Sequence, residues 1–473
     1  MNYNNGAMEN CNIAYIGGGS RGWAWRLMAD LALEPKLSGK ISLYDIDFNA
    51  AKNNEIIGNK LSEREDVVGK WKYEAKDTLK EALTGADFVI ISILPGTFDE
   101  MYYDVHLPEK YGIWQSVGDT TGAGGIVRAL RTIPMYVEIA EAIKEYCPEA
   151  WVINYTNPMS LCIKTLYHVF PEIKAFGCCH EVFGTQKLLS NMVEEMTGEK
   201  DIKREDIHVN VVGVNHFTWF TECSYKGIDL FPMYREFINK HYEEGYAKGD
   251  DNWMNNSFKS REKVKFDLFK TYGYIAAAGD RHLAEFMPGD TYLNDPETVK
   301  SWMFGLTTVD YRKNDLKERL EKSRKLVQGE EKVDLTLSGE EGVLLIKALC
   351  GLERCISNVN LPNTMGQIAN LPKEAVVETN AVFSKNHIHP VIAGDVPEKI
   401  LPLVAPHANT QEDILKAALT CDFRLALKAL MEDVNTKAKI NEEQGREMLK
   451  EMIKHTLTYL PEDWKKEIEI NNK

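Results

Sequence analysis

The sequence predicts an α/β protein, with a Rossmann-type, doubly wound parallel sheet at the N-terminus and an α+β, mostly helical domain behind it. Three observations support this fold class. A glycine-rich turn joins the first predicted strand to the first predicted helix, strands and helices then alternate over roughly 200 residues, and long amphipathic helices follow. Because the pattern changes there, we expect one domain over residues 1–200 and a second over residues 201–473.

The strands of the first domain are predicted from short apolar runs rich in β-branched residues, as in a buried parallel sheet. These runs are residues 12–16, 41–47, 71–75, 86–93, 151–156 and 174–178, and a further strand is expected at residues 208–213, just beyond the domain boundary. Helical spacing is seen between them at residues 23–33, from residue 48 onward and at residues 133–146. Asn157, followed by Pro158, is predicted to cap the next helix.

The second domain is predicted from long helices with apolar residues at helical spacing. These helices are residues 310–328, 342–357, 410–431 and 440–456. A short strand is expected at residues 374–379. No repeat and no low-complexity linker separates the two domains, so we expect them to pack directly on each other.

The charge balance excludes several classes of partner. The chain has 56 basic and 71 acidic residues, which gives a net charge of −15. Nucleic acid and anionic membranes both require a basic surface, so neither is expected as a partner. There is no signal-peptide pattern and no apolar run of the ~18 residues that span a bilayer. The nine cysteines are scattered without a C-x-x-C pair, which favours reduced thiols and a cytoplasmic protein.

The glycine-rich turn has the spacing of a dinucleotide-binding motif. Gly17, Gly19 and Gly22 form G-x-G-x-x-G, with Ser20 inside the turn. The first glycine permits a tight turn, the second lets the backbone approach a pyrophosphate, and the third lets the helix pack against the strand. The helix N-terminus then presents free N–H groups to the phosphates.

An acidic residue one strand later specifies the cofactor. Asp45 ends the second predicted strand, where a carboxylate binds the ribose hydroxyls of NAD and repels the 2′-phosphate of NADP. Asp47 is the second choice for this role. An isolated glycine motif is more often an ordinary tight turn, but here strand, helix and carboxylate are all in place. We therefore expect NAD as a cofactor.

Two further strand ends carry potential metal ligands. Cys179 follows the predicted strand at residues 174–178, and His216 follows the strand at residues 208–213. Ligands in doubly wound sheets bind just beyond such carboxyl ends, and a thiolate with an imidazole can hold a divalent metal with open positions. The alternative is that Cys178 and Cys179 are both small buried core residues, which we expect for Cys178.

The chain resembles glycoside hydrolase family 4, the NAD- and metal-dependent glycosidases, over nearly its whole length. The motifs that carry this resemblance occur in order: IGGGS (16–20), LYDID (43–47), SVGDTTGAGGIVRALRTIP (116–134), NYTNPM (154–159), GCCHEVFG (177–184), GVNHFTW (213–219), AAGDRHLAEF (277–286) and GQIANLP (366–372). The sequence departs from the family spacing at residues 363–366, where it is one residue longer.

The resemblance implies ligands for a metal and a sugar. Cys179 and His216 match the family's metal ligands, usually for manganese. Asn157 matches a residue that contacts substrate hydroxyls, and Asp119 matches a carboxylate near the sugar. The tetrad that begins at the metal cysteine, Cys-His-Glu-Val, is similar to that of the α-galacturonidases.

The resemblance also implies an acid and a base. Asp280 falls where the family places its base, a position that is tyrosine in some members. Tyr272 or Tyr274 could compete for the role, but we expect packing at a helix end or in the core for both. His180 falls where some members carry a general acid. In the implied reaction NAD⁺ takes a hydride from C3, which acidifies the proton at C2. Elimination at C1, addition of water and return of the hydride complete the cycle.

A galacturonide carries a carboxylate, so a basic anchor is expected. Arg281 and Arg128 are the best candidates, with Lys187 third, because an arginine can bind a carboxylate in bidentate geometry. Each could equally be a surface residue or contact a phosphate. His282, beside Arg281, is a further candidate for the site.

The expected substrate is therefore a uronic acid oligosaccharide, and the family implies a homodimer or homotetramer. Three alternatives stay open at this stage. The chain could be an α-glucosidase or α-galactosidase of the same family, a malate-type dehydrogenase that shares the first domain, or a non-catalytic NAD-dependent sugar sensor. A plain dehydrogenase has no need for the pair Cys179 and His216.

Overall fold

In the computed structural model, which describes residues 1–248 and 259–470, a large mixed sheet forms the centre of the molecule. Within those residues it contains ten strands. They are β1 (Asn2–Asn4), β2 (Ala7–Ile16), β3 (Leu37–Tyr44), β4 (Lys70–Lys76), β5 (Phe88–Ile91), β6 (Trp151–Asn154), β7 (Lys174–Gly177), β12 (Cys355–Pro362), β13 (Val376–Ser384) and β14 (His387–Pro390). A smaller antiparallel sheet contains β8 (Ile207–Val214), β9 (Phe217–Tyr225), β10 (Ile228–Asp229) and β11 (Ile275–Ala276).

Six strands of the main sheet are parallel and lie in the spatial order β4-β3-β2-β5-β6-β7. This is the doubly wound order, in which β3 and β4 are added on one side of β2 and β5, β6 and β7 on the other, so that the strand order switches between β2 and β5. Ligands of such sheets bind beyond the carboxyl ends of the strands at that point. The predicted Rossmann-type fold class is confirmed.

The second half of the chain contributes strands to the same sheet. Strand β12 pairs antiparallel with β7 through Asn360 and Gly177, and β13 and β14 continue the sheet outward. The main sheet therefore crosses the expected domain boundary near residue 200. That boundary stays a prediction.

The helices of the first half cover both faces of the sheet. They are α1 (Trp23–Ala32), α2 (Phe48–Ser62), α3 (Leu79–Leu83), α4 (Phe98–His106), α5 (Gly122–Tyr146), α6 (Met159–Val169) and α7 (Glu181–Thr197). The helices of the second half are α8 (Phe231–His241), α9 (Lys263–Tyr272), α10 (Asp280–Glu285), α11 (Pro296–Ser301), α12 (Val309–Gln328), α13 (Gly342–Leu349), α14 (Leu401–Thr420), α15 (Phe423–Glu432), α16 (Val434–Lys437), α17 (Glu442–Lys454) and α18 (Asp463–Ile470).

Three predicted helices have different bounds in the structure. The helix expected at residues 342–357 ends at Leu349, because Gly351 adopts φ +80° and the chain then turns into β12. The helix expected at residues 410–431 is two helices, α14 and α15, separated by Cys421 at φ 54°. Helix α5 begins at Gly122, eleven residues before the predicted start at residue 133, so the glycine-rich segment is its first turn and not a loop.

The glycines of α5 are explained by close packing. A Cβ at Gly125 would lie 2.5 Å from the carbonyl carbon of Thr120, and one at Gly124 would lie 2.7 Å from the carbonyl oxygen of Gly118. The first turn of α5 can therefore pack directly on the preceding loop. This brings Arg128, in the second turn of α5, beside that loop.

The core of the first half lies between the sheet and its helices. Ile13 and Tyr15 of β2 pack with Phe88 and Ile90 of β5, and all four are at most 2 % exposed. All nine cysteines are free thiols. No helix in the described part of the chain is both long and apolar enough to cross a membrane.

Candidate active site

The glycine turn follows β2 and leads into α1, as predicted. Gly17 has φ +89°, and a Cβ there would lie 2.0 Å from the carbonyl oxygen of Ser92. Only glycine fits this position without displacing the backbone. The side chain of Asn54 fixes the turn, because its Nδ2 donates to the carbonyls of Gly18 (2.7 Å) and Ser20 (3.0 Å). Asn54 had no signal in the sequence, because it lies on α2, more than 30 residues away.

Asp45 lies just beyond β3 and faces the glycine turn. Its Oδ2 accepts from the amide of Gly19 at 2.9 Å, and its Oδ1 accepts from the amide of Asp47 at 2.9 Å. Each carboxylate oxygen keeps a second lone pair. Burial raises the pKa of Asp45, although the two amide hydrogen bonds oppose the shift. Asp47 instead caps α2, where it accepts from the amide of Ala50 at 3.1 Å.

Cys179 lies in the short connection between β7 and α7. The residue is buried, and both burial and the charges of Glu378 and Glu181 raise the pKa of its thiol well above the ordinary value. The side chain of Asn215, the residue before His216, opposes that shift by a hydrogen bond. Cys179 therefore contacts the segment that carries His216.

Glu378 connects these segments from the C-terminal extension of the sheet. It lies on β13 and accepts from Asn215 Nδ2 at 3.2 Å and from Asn358 Nδ2 at 2.6 Å. Asn358, on β12, also donates to the carbonyl of Cys179 at 3.3 Å. The second half of the chain thus holds both predicted metal-binding segments in place.

His216 lies in the tight connection between β8 and β9. Its Nδ1 is 3.1 Å from the hydroxyl of Thr120, and its ring centroid is 4.1 Å from that of His282. Burial, followed by the charge of His282, lowers the pKa of His216 to about 3. The imidazole is therefore neutral at physiological pH, and Thr120 leaves Nε2 as the nitrogen that can bind a metal.

Asp119 and Asn157 meet at the carboxyl ends of the strands. Asn157 Nδ2 lies 3.4 Å from Asp119 Oδ1, which also accepts from the hydroxyl of Thr120 at 2.8 Å. Burial raises the pKa of Asp119, but the charges of Arg128 and Arg312 outweigh it, and the pKa falls to about 2. Helix α6 begins at Met159, so Asn157 does not cap it as predicted, since its side chain is directed to Asp119 instead.

Glu181 is a carboxylate that sequence reasoning missed. Its Oε2 accepts from the amide of Gly279 at 2.7 Å, and its Oε1 lies 3.5 Å from Nε2 of His282. Burial raises its pKa, but His282, the charged ring of His180 and the amide of Gly279 outweigh burial and lower it. Its position directly after the predicted metal cysteine and His180 was the signal that could have identified it.

His180 lies at the open side of this cluster and is half exposed. Its Nδ1 is 3.0 Å from Oε1 of Glu340, and its ring lies 6.3 Å from that of Trp23, at the start of α1. Partial burial favours the neutral ring, but the hydrogen bond and charge of Glu340 raise the pKa of His180 to about 9. His180 therefore carries a proton beside the glycine turn.

Asp280 faces a different direction. Its Oδ1 accepts from the amide of Lys265 at 3.1 Å, and its carboxyl is fully buried. Burial and the charge of Glu262 raise its pKa. Residues two apart on an α-helix are separated by about 200°, so Asp280 and His282 lie on opposite faces of α10. The structure thus brings His282 to His216 and Glu181 and directs Asp280 toward α9.

Arg281 and Arg128 are both near Asp119. Arg128 Nε donates to the carbonyl of Asn157 at 3.0 Å, and its Nη1 is buried without a hydrogen-bond partner in the described residues. Arg281 Nη1 donates to the hydroxyl of Thr307. The charges of Glu181, Glu285 and Asp119 all act on Arg281. Both predicted arginines therefore lie at the site.

The other basic and aromatic candidates lie elsewhere. Lys187 is exposed on α7. Tyr272 packs edge-on against Trp219, with ring centroids 6.0 Å apart, and Tyr274 belongs to the same apolar cluster. These positions favour the packing interpretation of the two tyrosines.

Two arginines of α12 were also missed. Arg312 lies near Asp119, and Arg319, two turns further, lies against the glycine turn, with its Nη1 3.5 Å from the carbonyl of Arg21. A Cβ at Gly22 would lie 2.1 Å from Nη1 of Arg319. In the sequence α12 reads as a highly charged surface helix, and nothing in that pattern distinguishes these two arginines from the others.

Comparison with known proteins gives the family. Residues 12–195 match the model of the family 4 glycosyl hydrolases, and residues 211–436 match the model of their C-terminal domain. The alpha-galacturonidase of Lachnoclostridium phytofermentans is 62 % identical over 464 residues, which cover 98 % of this chain and 100 % of the relative. The chain belongs to glycoside hydrolase family 4.

Solved structures agree with this family assignment. A Bacillus subtilis protein described as a glucosidase superposes with a TM-score of 0.89 at 50 % identity, over 94 % of this chain and 100 % of that protein. A 6-phospho-alpha-glucosidase from gut microorganisms, solved with NAD and Mn²⁺, superposes with a TM-score of 0.79 at 21 % identity, over 96 % and 99 % of the two chains. The second likeness concerns the fold alone.

The residues present suit both family cofactors. A Cβ at Gly17 or Gly19 would clash with Ser92 or Asp45, so glycine keeps the turn tight, and Asp45 has free acceptor capacity beside it. A divalent cation would compensate the buried thiol of Cys179 and its neighbouring carboxylates, and the neutral ring of His216 offers one nitrogen. Within residues 1–248 and 259–470 no three His, Cys, Asp or Glu side chains group as a complete metal site, so a metal held by Cys179 and His216 would need further ligands.

Proposed function

We propose that this enzyme hydrolyses α-galacturonides, such as digalacturonate, with NAD and a divalent metal, Mn²⁺ or another, as cofactors. The observation that carries the proposal is 62 % identity to an alpha-galacturonidase over essentially the full length of both chains. The convergence of Arg128, Arg281 and Arg312 on Asp119 supports it physically, because these cations suit an anionic sugar. A 6-phospho-alpha-glucosidase of the same fold has been solved with NAD and Mn²⁺, which supports the cofactors.

The glycine turn and Asp45 would hold NAD. The amides at the start of α1 face the pyrophosphate position, and Asp45 accepts from the ribose hydroxyls. When bound, NAD supplies a reversible hydride acceptor that activates the sugar and is regenerated. Because Gly17 and Asn54 fix the turn rigidly, the chain orients the cofactor without rearrangement of its backbone.

Cys179 and His216 would hold the metal, which supplies Lewis acidity toward oxygens of the sugar. Thr120 fixes the ring of His216 through Nδ1, and Glu378 fixes the two segments through Asn215 and Asn358. Asn157 and Asp119 lie beside them and contact the sugar hydroxyls. Asp119 is ionised at all physiological pH values, so it acts as an acceptor.

His282 is the group that removes the proton from C2. It is buried, lies against His216 and has an unpartnered Nδ1 within the described residues. Burial lowers the pKa of His282, so the ring is neutral and can accept a proton, and Glu181 beside it stabilises the imidazolium that forms. Asp280, the base implied by the family resemblance, is the competing candidate. Its carboxyl is directed to Lys265.

His180 donates the proton to the leaving group. It lies at the open side of the cluster, where the second sugar of a disaccharide enters, and Glu340 keeps its ring charged. After elimination the same ring can accept a proton from the water that adds at C1. Arg128 and Arg281 help to hold the carboxylate of the sugar.

The experiment that tests this function compares digalacturonate with digalactose, the neutral counterpart, under NAD⁺, Mn²⁺ and a thiol reductant. We expect hydrolysis of digalacturonate that is lost when either cofactor is removed by gel filtration or chelation and restored when it is returned. Equal turnover of the neutral disaccharide would overturn the substrate assignment. Accumulation of NADH without cleavage would identify a dehydrogenase.

We infer that the enzyme works in the cytoplasm as a homodimer or homotetramer. Nine free cysteines, including the one we assign to the metal, support a reducing compartment. Light scattering coupled to size-exclusion chromatography distinguishes the 53.8 kDa monomer from two or four copies. A monomer that is fully active at assay concentration would overturn the oligomer.

A further inference from the structure

Helix α12 holds Arg312 against the loop that carries Asp119. The amide of Thr307, just before the helix, donates to the carbonyl of Ser116 at 2.9 Å, and Nη2 of Arg312 lies 3.4 Å from the carbonyl of Val117. The amide of Arg312 itself donates to Thr308 at 3.3 Å, within the first turn of the helix. These contacts hold Arg312 against the backbone of residues 116–117.

Arg312 has hydrogen-bonding capacity that the protein does not use. Its Nε is buried and has no hydrogen-bond partner within the described residues, and its contact with Val117 is long. In the described part of the chain Arg128 also has an unpartnered buried Nη1, but its Nε already donates to the carbonyl of Asn157 at 3.0 Å, so its Nε edge is not free. Arg281 differs as well, since its Nη1 donates to Thr307. A buried guanidinium nitrogen without an acceptor indicates that an acceptor arrives with a ligand.

The charges around Arg312 also leave room for an anion. The charge of Arg312 acts on Asp119, Arg128 and Arg281, and the carboxylates that act on Arg281 are Glu181, Glu285 and Asp119. Asp104 is paired with Arg131, and burial raises the pKa of Glu285 to about 7. Below that pH the three guanidinium groups therefore face two ionised carboxylates, Asp119 and Glu181. In a protein with a net charge of −15, such a local excess of positive charge is a specific feature and not a general property of the surface.

We propose that Arg312 binds the carboxylate of the sugar and thereby selects galacturonides over neutral galactosides. The Nε edge of the guanidinium offers two parallel N–H donors, the geometry that matches a carboxylate. In this arrangement Arg128 and Arg281, which already donate to Asn157 and Thr307, assist in holding the carboxylate, and Arg312 makes the selective contact. The inference rests on the proposed function and names the residue that determines its specificity.

The test measures binding and turnover with and without the carboxylate. Arg312→Met and Arg312→Lys are compared with the wild type in calorimetric titrations of the NAD- and Mn²⁺-loaded enzyme with galacturonic acid and with galactose. The same variants are assayed with digalacturonate for KM and kcat. Arg324→Met is the matched control, because Arg324 lies on the exposed side of α12 and pairs with Glu321.

We expect Arg312→Met to weaken galacturonic acid binding roughly 10- to 100-fold and to leave galactose binding unchanged, as for loss of a hydrogen bond to a charged group. Arg312→Lys should recover part of that loss, and Arg324→Met should behave as wild type. Equal weakening of both sugars, or unchanged discrimination, would overturn the role of Arg312. If the wild type itself fails to bind or cleave galacturonides, the proposed function fails and not only the role of Arg312.

Discussion

The ring of His282 lies over that of His216, with their centroids 4.1 Å apart. Both rings are neutral, since burial lowers the pKa of each. In the proposed function His216 would bind the metal and His282 would accept a proton from the sugar. This pairing, together with Glu181 behind His282, is the main addition that the structure makes to the predicted site.

The first prediction separates the two candidate bases. His282→Asn should lower kcat roughly 100- to 10,000-fold, as expected for loss of a general base, with little change in the melting temperature. Asp280→Asn should retain most of the activity, because an amide still accepts from Lys265. Exchange of the C2 proton of galacturonic acid with solvent, followed by NMR, reports the step directly. Loss of exchange in Asp280→Asn alone would assign the base to Asp280.

The second prediction concerns the hydroxyl that orients His216. Thr120→Val removes the partner of Nδ1, and we expect Mn²⁺ to bind about 10- to 100-fold more weakly, the usual effect of losing such a contact. Thr120→Ser keeps the hydroxyl and should bind the metal nearly as well as the wild type. Electron paramagnetic resonance of free Mn²⁺ gives the dissociation constants. Identical affinities for the valine and serine variants would contradict the orienting role.

The third prediction concerns the backbone of the glycine turn. Gly17→Ala should unfold at a lower temperature and bind NAD⁺ more weakly, because the added Cβ would lie 2.0 Å from a carbonyl oxygen. Gly85→Ala is the matched control, since Gly85 also has positive φ (75°) but its Cβ would meet no atom within 4 Å. The control should lose only about 1–3 kcal/mol, the cost of backbone strain. Equal losses of stability and NAD⁺ affinity in both variants would count against the tight turn.

The fourth prediction is a pH dependence of stability. Glu285 accepts from the amides of Val117 and Gly118, and burial, opposed by these hydrogen bonds, raises its pKa from 4.5 to about 7. The folded state keeps a proton that the unfolded chain releases, so the free energy of unfolding falls as pH rises from about 4.5 to about 7. The contribution lost is up to about 3 kcal/mol.

Glu285→Gln removes this titration, so the variant should lose less stability than the wild type over that interval. Urea unfolding at several pH values gives the two slopes. Glu462→Gln, an exposed carboxylate on the surface, controls for the loss of one charge. Parallel curves for the wild type and Glu285→Gln would show that Glu285 is ionised in the folded protein.

Local patterns predicted much of the fold. The strands along the chain, the glycine turn and the strand ends are local features, set by residues close together in sequence. Gly17, Asp45, Cys179 and His216 were therefore placed correctly, each just after a strand. The extension of the sheet by β12 could not be predicted, because its pairing with β7 joins Asn360 and Gly177, which are far apart in the sequence. The helix predicted at residues 342–357 was wrong for the same reason.

The remaining side chains of the site come from distant segments. Thr120, Glu181 and Arg312 belong to a loop and two helices that meet only in the folded chain. For Asp280 a motif indicated the right segment but not the right side chain. Residues two apart on a helix lie on opposite faces, so Asp280 accepts from Lys265 while His282 faces the site. The roles of these residues stay predictions that the variants above test.

The most direct test of the whole account is hydrolysis of digalacturonate in D₂O, with NAD⁺ and Mn²⁺ present and the product examined by NMR. We predict cleavage with one deuterium at C2 of the released galacturonate, since the proton is removed there before C1 is cleaved and is replaced from solvent. Cleavage with no deuterium at C2, and without dependence on NAD⁺, would contradict the account.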